Sequence, residues 1–176
     1  MRKFLLGITP IVASAALLLI TAGSAYAADA GTGTTFTLTG GALTISAPVG
    51  PVSLGTGAAS VAAQTITGSL GPVTVTDSRG NILGWVTSAI STAFTATGGL
   101  TVPASAITYG LSAPTVTGTA VVVPLAAVDL TAAKTVETAT GVLGVNTALW
   151  NPSISVLVPV SAQTGVYAAT LTHSVI

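Results

Sequence analysis

Hydrophobic and polar residues alternate along most of this chain, which is the periodicity of β-strands. The first run alternates Phe36 and Leu38 with threonine, and the alternation continues through Leu43 and Ile45. Valine, isoleucine and threonine suit a half-buried pleated surface and lose rotamer freedom in helices. Further strands are predicted at residues 61–67, 73–77, 83–90, 106–109, 115–123, 154–158 and 166–175.

Glycine and proline residues separate these runs at short intervals. Several short strands with regular turn signals are typical of sandwiches and barrels rather than of βαβ units. The predicted fold is therefore all-β, a β-sandwich or a partly closed barrel of short, mainly antiparallel strands.

The segment 124–140 departs from this pattern. Leu125, Val128, Ala132 and Val136 recur near helical spacing, and alanine is plentiful there. Three threonines in the same segment disfavour a stable helix. We expect a connection that contains one short helical turn.

The amino terminus has the three parts of a secretory signal peptide. A positive start at Arg2-Lys3 precedes an apolar run from Phe4 to Ile20, and Ala25-Tyr26-Ala27 matches the small-x-small cleavage pattern. We predict a signal peptide at 1–27 and a single β-rich extracellular domain at 28–176. The alternative is an uncleaved anchor, because the apolar run approaches the ~17–25 residues that span a bilayer.

Composition excludes several classes of protein. Only 5% of the residues are charged and the mean hydropathy is +0.87, which argues against intrinsic disorder. Residues 28–176 hold two basic and four acidic side chains, a formal net charge of −2. No basic patch is present that could displace counterions from nucleic-acid phosphate. A surface of threonine, serine and glycine suits a protein held in a wall or sheath.

We expect no covalent attachment of this chain to the cell surface. It has no cysteine and therefore no lipobox thiol. It ends at Ile176 without a sorting motif or hydrophobic tail. We expect surface retention to be non-covalent, with no membrane association after signal-peptide removal.

Little in the sequence points to catalysis. His173 is the single histidine, and no Gly-x-Ser-x-Gly motif or cluster of metal-ligand residues is present. Counting alone leaves a Ser-His-Asp arrangement open, because serine is abundant. We predict that the protein is not an enzyme and uses no cofactor or metal.

Five residues are candidates for contact with a ligand or with the cell wall: Asp77, Arg79, Trp85, Trp150 and His173. Arg79 could hold a wall carboxylate or phosphate by a bidentate contact. The alternative, which we favour, is a turn in which Asp77 accepts from backbone N–H groups, Arg79 pairs with Asp77, and Gly80 takes a positive φ.

Trp85 and Trp150 could stack on sugar rings, with Tyr109 and Tyr167 as weaker candidates. Core packing is the alternative, because one tryptophan buries a large area. Core packing is favoured for Trp85. For Trp150, which stands at a strand boundary, both interpretations stay open. His173 shares a strand face with Tyr167, Leu171 and Val175 by parity, so a neutral structural histidine is favoured over a ligand.

Two segments carry a family resemblance. The chain reads Thr-Val-Thr-Asp-Ser-Arg-Gly from Thr74 to Gly80, followed by Gly84-Trp85, and it ends with Gly165-Val166-Tyr167 and Leu171-Thr172. In this order and over most of the predicted domain, it resembles the WxL-type surface domain of secreted Gram-positive proteins. Where that family has Trp-x-Leu, this chain has Trp85-Val86-Thr87 and His173-Ser174-Val175, an ending that looks like secreted actinobacterial relatives.

The resemblance implies a non-enzymatic cell-surface module. Its expected partner is peptidoglycan, another wall polymer or another surface protein, bound non-covalently. The alternative is a self-assembling subunit of an extracellular layer or appendage that associates through sheet edges. Lys134 is the only lysine after residue 27, whereas native sheets usually guard their edges with lysine, proline or bulges.

Overall fold

The computed structural model describes residues 29–98 and 100–176, so the predicted signal peptide and its cleavage site lie outside the described residues. Residues Thr37–Ile176 form a compact unit. Within the described residues, regular structure consists of twelve β-strands and one 3₁₀-helix at Ala104–Ala106. The strands are β1 Leu43–Ser46, β2 Gln64–Ser69, β3 Val73–Asp77, β4 Trp85–Ser91, β5 Phe94–Thr95, β6 Thr101–Val102, β7 Ile107–Tyr109, β8 Thr115–Pro124, β9 Ala127–Val128, β10 Lys134–Trp150, β11 Ser153–Val158 and β12 Leu171–Val175.

Every pairing between these strands is antiparallel, as predicted. The larger sheet has the order β1-β3-β10-β4-β12, with β8 paired to β10. It is barrel-like and nearly closed, because β1 and β12 lie close together. The smaller sheet has the order β2-β11-β7-β9, and β5 and β6 form a separate pair. The predicted all-β class is confirmed.

Strand β10 organises the larger sheet. Its first half pairs with β4, its last five residues pair with β3, and β8 pairs with it from Glu137 to Leu149. Register shifts between Thr140 and Asn146 coincide with positive φ angles of 59° at Gly141 and 75° at Gly144. Glycine adopts such angles without steric cost, so the long strand can bulge without ending.

The predicted helical turn in 124–140 is wrong. That segment holds the end of β8, strand β9, a turn and the first seven residues of β10. Pairing of β10 with β4 and β8 supplies its backbone hydrogen bonds, so sheet contacts override the local helical spacing. Asp129, at φ 58°, shapes the turn by accepting bonds from the Thr131 amide and hydroxyl.

Three other strand predictions need correction. Phe36 and Leu38 are exposed and lie outside any strand. The run at 61–67 becomes regular only at Gln64, and the last strand begins at Leu171 rather than Val166. Strands β3 and β4, although joined by one turn, pair with β10 rather than with each other. In each case the alternating pattern identified residues that could form a strand. Which of them pair depends on the position of the neighbouring strands.

The structure has two hydrophobic clusters. One lies within the larger sheet and contains Val73, Val75, Trp85, Ala148 and Trp150, among others. The other joins the smaller sheet to β4 and β10, and it contains residues such as Ile107, Tyr109, Leu130, Val136 and Ile154. In the described part of the chain, no helix has the length and apolarity needed to cross a membrane.

Candidate functional site

The turn after β3 is closed by an ion pair. The guanidinium of Arg79 donates from Nε to Asp77 Oδ1 and from Nη2 to Asp77 Oδ2, both at 2.9 Å. The Arg79 amide also donates to Oδ1 at 3.1 Å, and Gly80 has φ 67°. This is the arrangement that the turn interpretation predicted.

The same guanidinium also binds two backbone carbonyls. Nη2, which holds Asp77 Oδ2, donates to the carbonyl oxygens of Leu83 at 3.1 Å and Gly84 at 3.0 Å. The hydrogen bonds from Arg79 hold the pKa of the Asp77 carboxyl below its usual value, and the pKa of Arg79 is correspondingly raised. All four side-chain hydrogen bonds of Arg79 therefore come from Nε and Nη2 and have acceptors within the protein, so this edge of the planar fork is not free for a second bidentate anion.

Asp77 also connects the turn to the interior. Asn146 of β10 donates from Nδ2 to Asp77 Oδ2 at 3.4 Å and accepts from Trp85 Nε1 at 3.2 Å. Trp85 is only 2% exposed. Arg79, Asp77, Asn146 and Trp85, the turn network below, therefore tie β3, β4 and β10 together.

A second network lies between the two hydrophobic clusters. Trp150 Nε1 donates to Tyr109 Oη at 2.9 Å, and Oη lies 3.1 Å from Nε2 of His173. Indole N–H is a donor only, so Tyr109 Oη accepts from Trp150, and the tautomer of His173 sets the direction of the bond between Oη and Nε2. Trp150 is 1% exposed, which settles its open assignment in favour of burial. Tyr109 and His173 also meet edge to face at 5.7 Å.

Two buried polar groups adjoin this second network without partners. Glu137 and Thr87 stand opposite each other across β10 and β4, and both are buried. Oε2 of Glu137 and Oγ1 of Thr87 make no hydrogen bond. Tyr109, Trp150, His173 and Glu137 are called the core network below.

Burial moves the pKa values of all three ionisable members of the core network. Desolvation raises the pKa of Glu137 to about 7 and lowers the pKa of His173 to about 4. It also raises the pKa of Tyr109. Each shift favours the neutral form, as expected for groups removed from water without an opposite charge.

A cavity of about 820 Å³ adjoins His173. Its walls come from the inner faces of β2 and β11 and from the segments 47–60 and 158–169, and they include Ile66, Phe94, Ile154, Tyr167 and Leu171. The volume lies in the ~300–1,000 Å³ range of ligand pockets. We call it the core cavity.

A different surface lies on the outside of the larger sheet. Val121, Val123, Leu143, Val145 and Leu149 are exposed on the outer side of β8 and β10. Strand β8 carries no charged residue, and neither does β10 from Thr138 onward. Within the described residues, β8 pairs with β10 alone, so its other edge is open. We call this surface the β8–β10 face.

The structure thus separates the five sequence candidates. Asp77, Arg79 and Trp85 belong to the turn network, whereas Trp150 and His173 belong to the core network, and only His173 lines the core cavity. Sequence reasoning missed Glu137 and Asn146, because both stand in β10, which no pattern identified. Among the described residues, no group of three or more potential metal ligands comes together.

Comparison of the chain with protein-family models, with curated proteins and with solved structures found no match.

Proposed function

We propose that this protein is a secreted, non-enzymatic structural subunit that associates with copies of itself on the cell exterior through the open edge of β8. The observation that carries the proposal is the β8–β10 face, an uncharged and apolar outer surface that ends at the unpaired edge of β8. A strand edge of this kind is a template for pairing with another chain.

The features that usually protect an edge are nearly absent from β8. Its ten residues include no lysine and no inward charge, and its one proline, Pro124, is the last residue. The pairing of β8 with β10 is irregular only in its middle, where Gly118 has φ 87° and two register shifts lie between Gly118 and Val121. Five exposed valine and leucine side chains beside the edge add apolar area that a second copy could cover.

Light scattering on the exported chain over a range of concentrations tests this proposal. We expect a mass that rises with concentration, and a Val121→Lys, Val123→Lys double variant whose mass rises less than that of the wild-type chain at the same concentrations. Val61→Lys is the control, because Val61 is a fully exposed valine outside every strand. A wild-type chain that remains a monomer at high concentration would contradict the assembly.

A second candidate function is non-covalent association with the cell wall or with another surface protein, as in WxL-type domains. It is supported by the resemblance from Thr74 to Trp85, a segment that also acts as one unit through the turn network. Because Arg79 and both tryptophans are engaged internally, wall contact would have to use the outer surface of the turn rather than these side chains. Co-sedimentation with purified peptidoglycan sacculi is the test. If the protein pellets no more than an unrelated control protein does, wall binding is excluded.

A further inference from the structure

We propose that residues 34–39, called the arm, insert into the core cavity of a second copy beside β2, so that copies join head to tail. This inference shares the self-association of the proposed function but uses different residues. Either interface can therefore fail without the other.

The arm has the pattern of a strand that lacks a partner. Phe36 and Leu38 alternate with Thr35, Thr37 and Thr39, and the two apolar side chains are 92% and 87% exposed. No residue from 34 to 39 pairs with another strand or makes a hydrogen bond within the described chain. Large apolar residues at a spacing of two would enter the same side of a groove if the segment were extended.

The core cavity offers the complementary features. Its walls are largely apolar, and Gln64 and Ile66 of β2 lie on its rim. Among the described residues, strand β2 pairs with β11 alone, which leaves one backbone edge open for an added strand. The rim is held in place, since Gln64 Nε2 donates to the Ala58 carbonyl at 2.6 Å and Tyr167 Oη donates to the Gln163 carbonyl at 3.0 Å.

The direction of the chain indicates that the occupant comes from a second copy. Gly40 packs against the backbone of Arg79, and Gly41 donates to the Ser78 carbonyl at 2.6 Å, which anchors the start of β1. Ala47, the first cavity residue along the chain, follows the far end of β1. The six extended residues from Gly41 to Ala47 span roughly 20 Å. Leu38 lies on the opposite side of the Gly40–Gly41 anchor and is only two residues from Gly40. A contact between an arm and a distant cavity is heterologous, and such contacts build open chains unless a ring closes.

Charge substitutions in the arm provide the first test. In an exported chain whose β8 edge is blocked by Val121→Lys and Val123→Lys, Phe36→Asp with Leu38→Asp should weaken the remaining self-association roughly 100-fold or more, because two large apolar side chains no longer leave water. The matched control is Thr35→Asp with Thr37→Asp, which adds the same charges to the opposite side of the arm and should weaken association far less. Equal loss in both variants would overturn the proposal, because charge alone would then explain it.

Cysteine pairing provides the second test and does not depend on affinity. The chain has no cysteine of its own. Mixing a Leu38→Cys chain with an Ala162→Cys chain, whose new thiol lines the cavity, should give a disulfide-linked heterodimer under mild oxidation. A Val145→Cys chain, with its thiol on the β8–β10 face, should not link to Leu38→Cys.

Three results of the cysteine experiment would overturn the proposal. The first is equal linkage to Ala162→Cys and Val145→Cys. The second is no linkage to Ala162→Cys, even if the wild-type chain assembles through β8. The third is an intrachain disulfide in a dilute chain that carries both Leu38→Cys and Ala162→Cys, which would place each arm in its own cavity.

Discussion

The turn network and the core network each connect a buried tryptophan to polar side chains by hydrogen bonds. They differ in whether the carboxyl group is paired with a cation. In the turn network, Asp77 meets Arg79 through two bonds of 2.9 Å, and its remaining capacity is used by Asn146. In the core network, Glu137 is 1% exposed and one of its oxygens has no partner. A carboxylate beside an arginine keeps its charge, whereas a buried carboxyl without a cation favours its proton.

This difference predicts that the two networks respond differently to pH. The turn network braces three strands at neutral pH and keeps its charges paired. The core network is neutral at the mid-acidic pH between the pKa values of His173 and Glu137, about 4 and about 7. It therefore makes the interior beside the core cavity sensitive to pH, while the turn remains insensitive until Asp77 is protonated.

The largest expected effect concerns the tryptophan of the turn network. Trp85→Ala should lower the free energy of unfolding by ~3–5 kcal/mol, the range for deleting a large buried aromatic. Urea denaturation measures it. Trp85→Phe is the control and should cost much less, because it keeps most of the apolar area and loses mainly the bond to Asn146. Lost sacculus binding with an unchanged melting temperature would instead make Trp85 a surface contact.

The next effect separates the two carboxyl environments. Burial raises the pKa of Glu137 from 4.5 to about 7. Between these values the folded state binds more protons than the unfolded state, so this group makes stability fall as pH rises. Glu137→Gln should remove that fall, with a gain over wild type at pH 8 of at most about 3 kcal/mol. Comparison of urea midpoints at pH 4 and pH 8 measures the gain.

Asp129→Asn is the matched control for this prediction. Asp129 is an acid in a turn whose pKa is lowered by hydrogen bonds from Thr131. Asp129→Asn should therefore show the same loss of stability as wild type when the pH rises from 4.5 to 7. Parallel pH profiles for wild type and Glu137→Gln would show that Glu137 reaches water in the folded protein, and the contrast between the networks would disappear.

The smallest effect concerns His173, whose pKa is lowered by burial from 6.5 to about 4. The unfolded state then binds a proton first, so this group makes stability fall as pH drops from about 6.5 towards 4, opposite to Glu137. An NMR titration of the single histidine measures the pKa directly, and a value at or above 6.5 would contradict its burial against Tyr109. His173→Trp should lower the free energy of unfolding by ~1–3 kcal/mol through overpacking. A smaller loss would show that the neighbouring core cavity accepts the larger ring.

Local patterns were sufficient for the turn from Asp77 to Gly80, although not for its contact with Asn146. Asp77, Arg79 and Gly80 are close in sequence, so the ion pair and the positive φ depend on few other residues. The inward side of the last strand was also predictable, because His173 and Val175 must share a face two residues apart. The partners of β3 and β4 were not predictable, because pairing depends on β10, more than 40 residues later in the chain.

By itself, the sequence determined an all-β chain of low charge, its turn positions and the direction in which alternate side chains point. These properties follow from backbone sterics and from a period of two, which act over a few residues. Only the tertiary structure decided that the Thr- and Val-rich residues 134–150 form the central strand, that Tyr109 contacts both Trp150 and His173, and that Glu137 is buried without a cation. Those outcomes depend on contacts between distant segments, whose energies no local pattern contains.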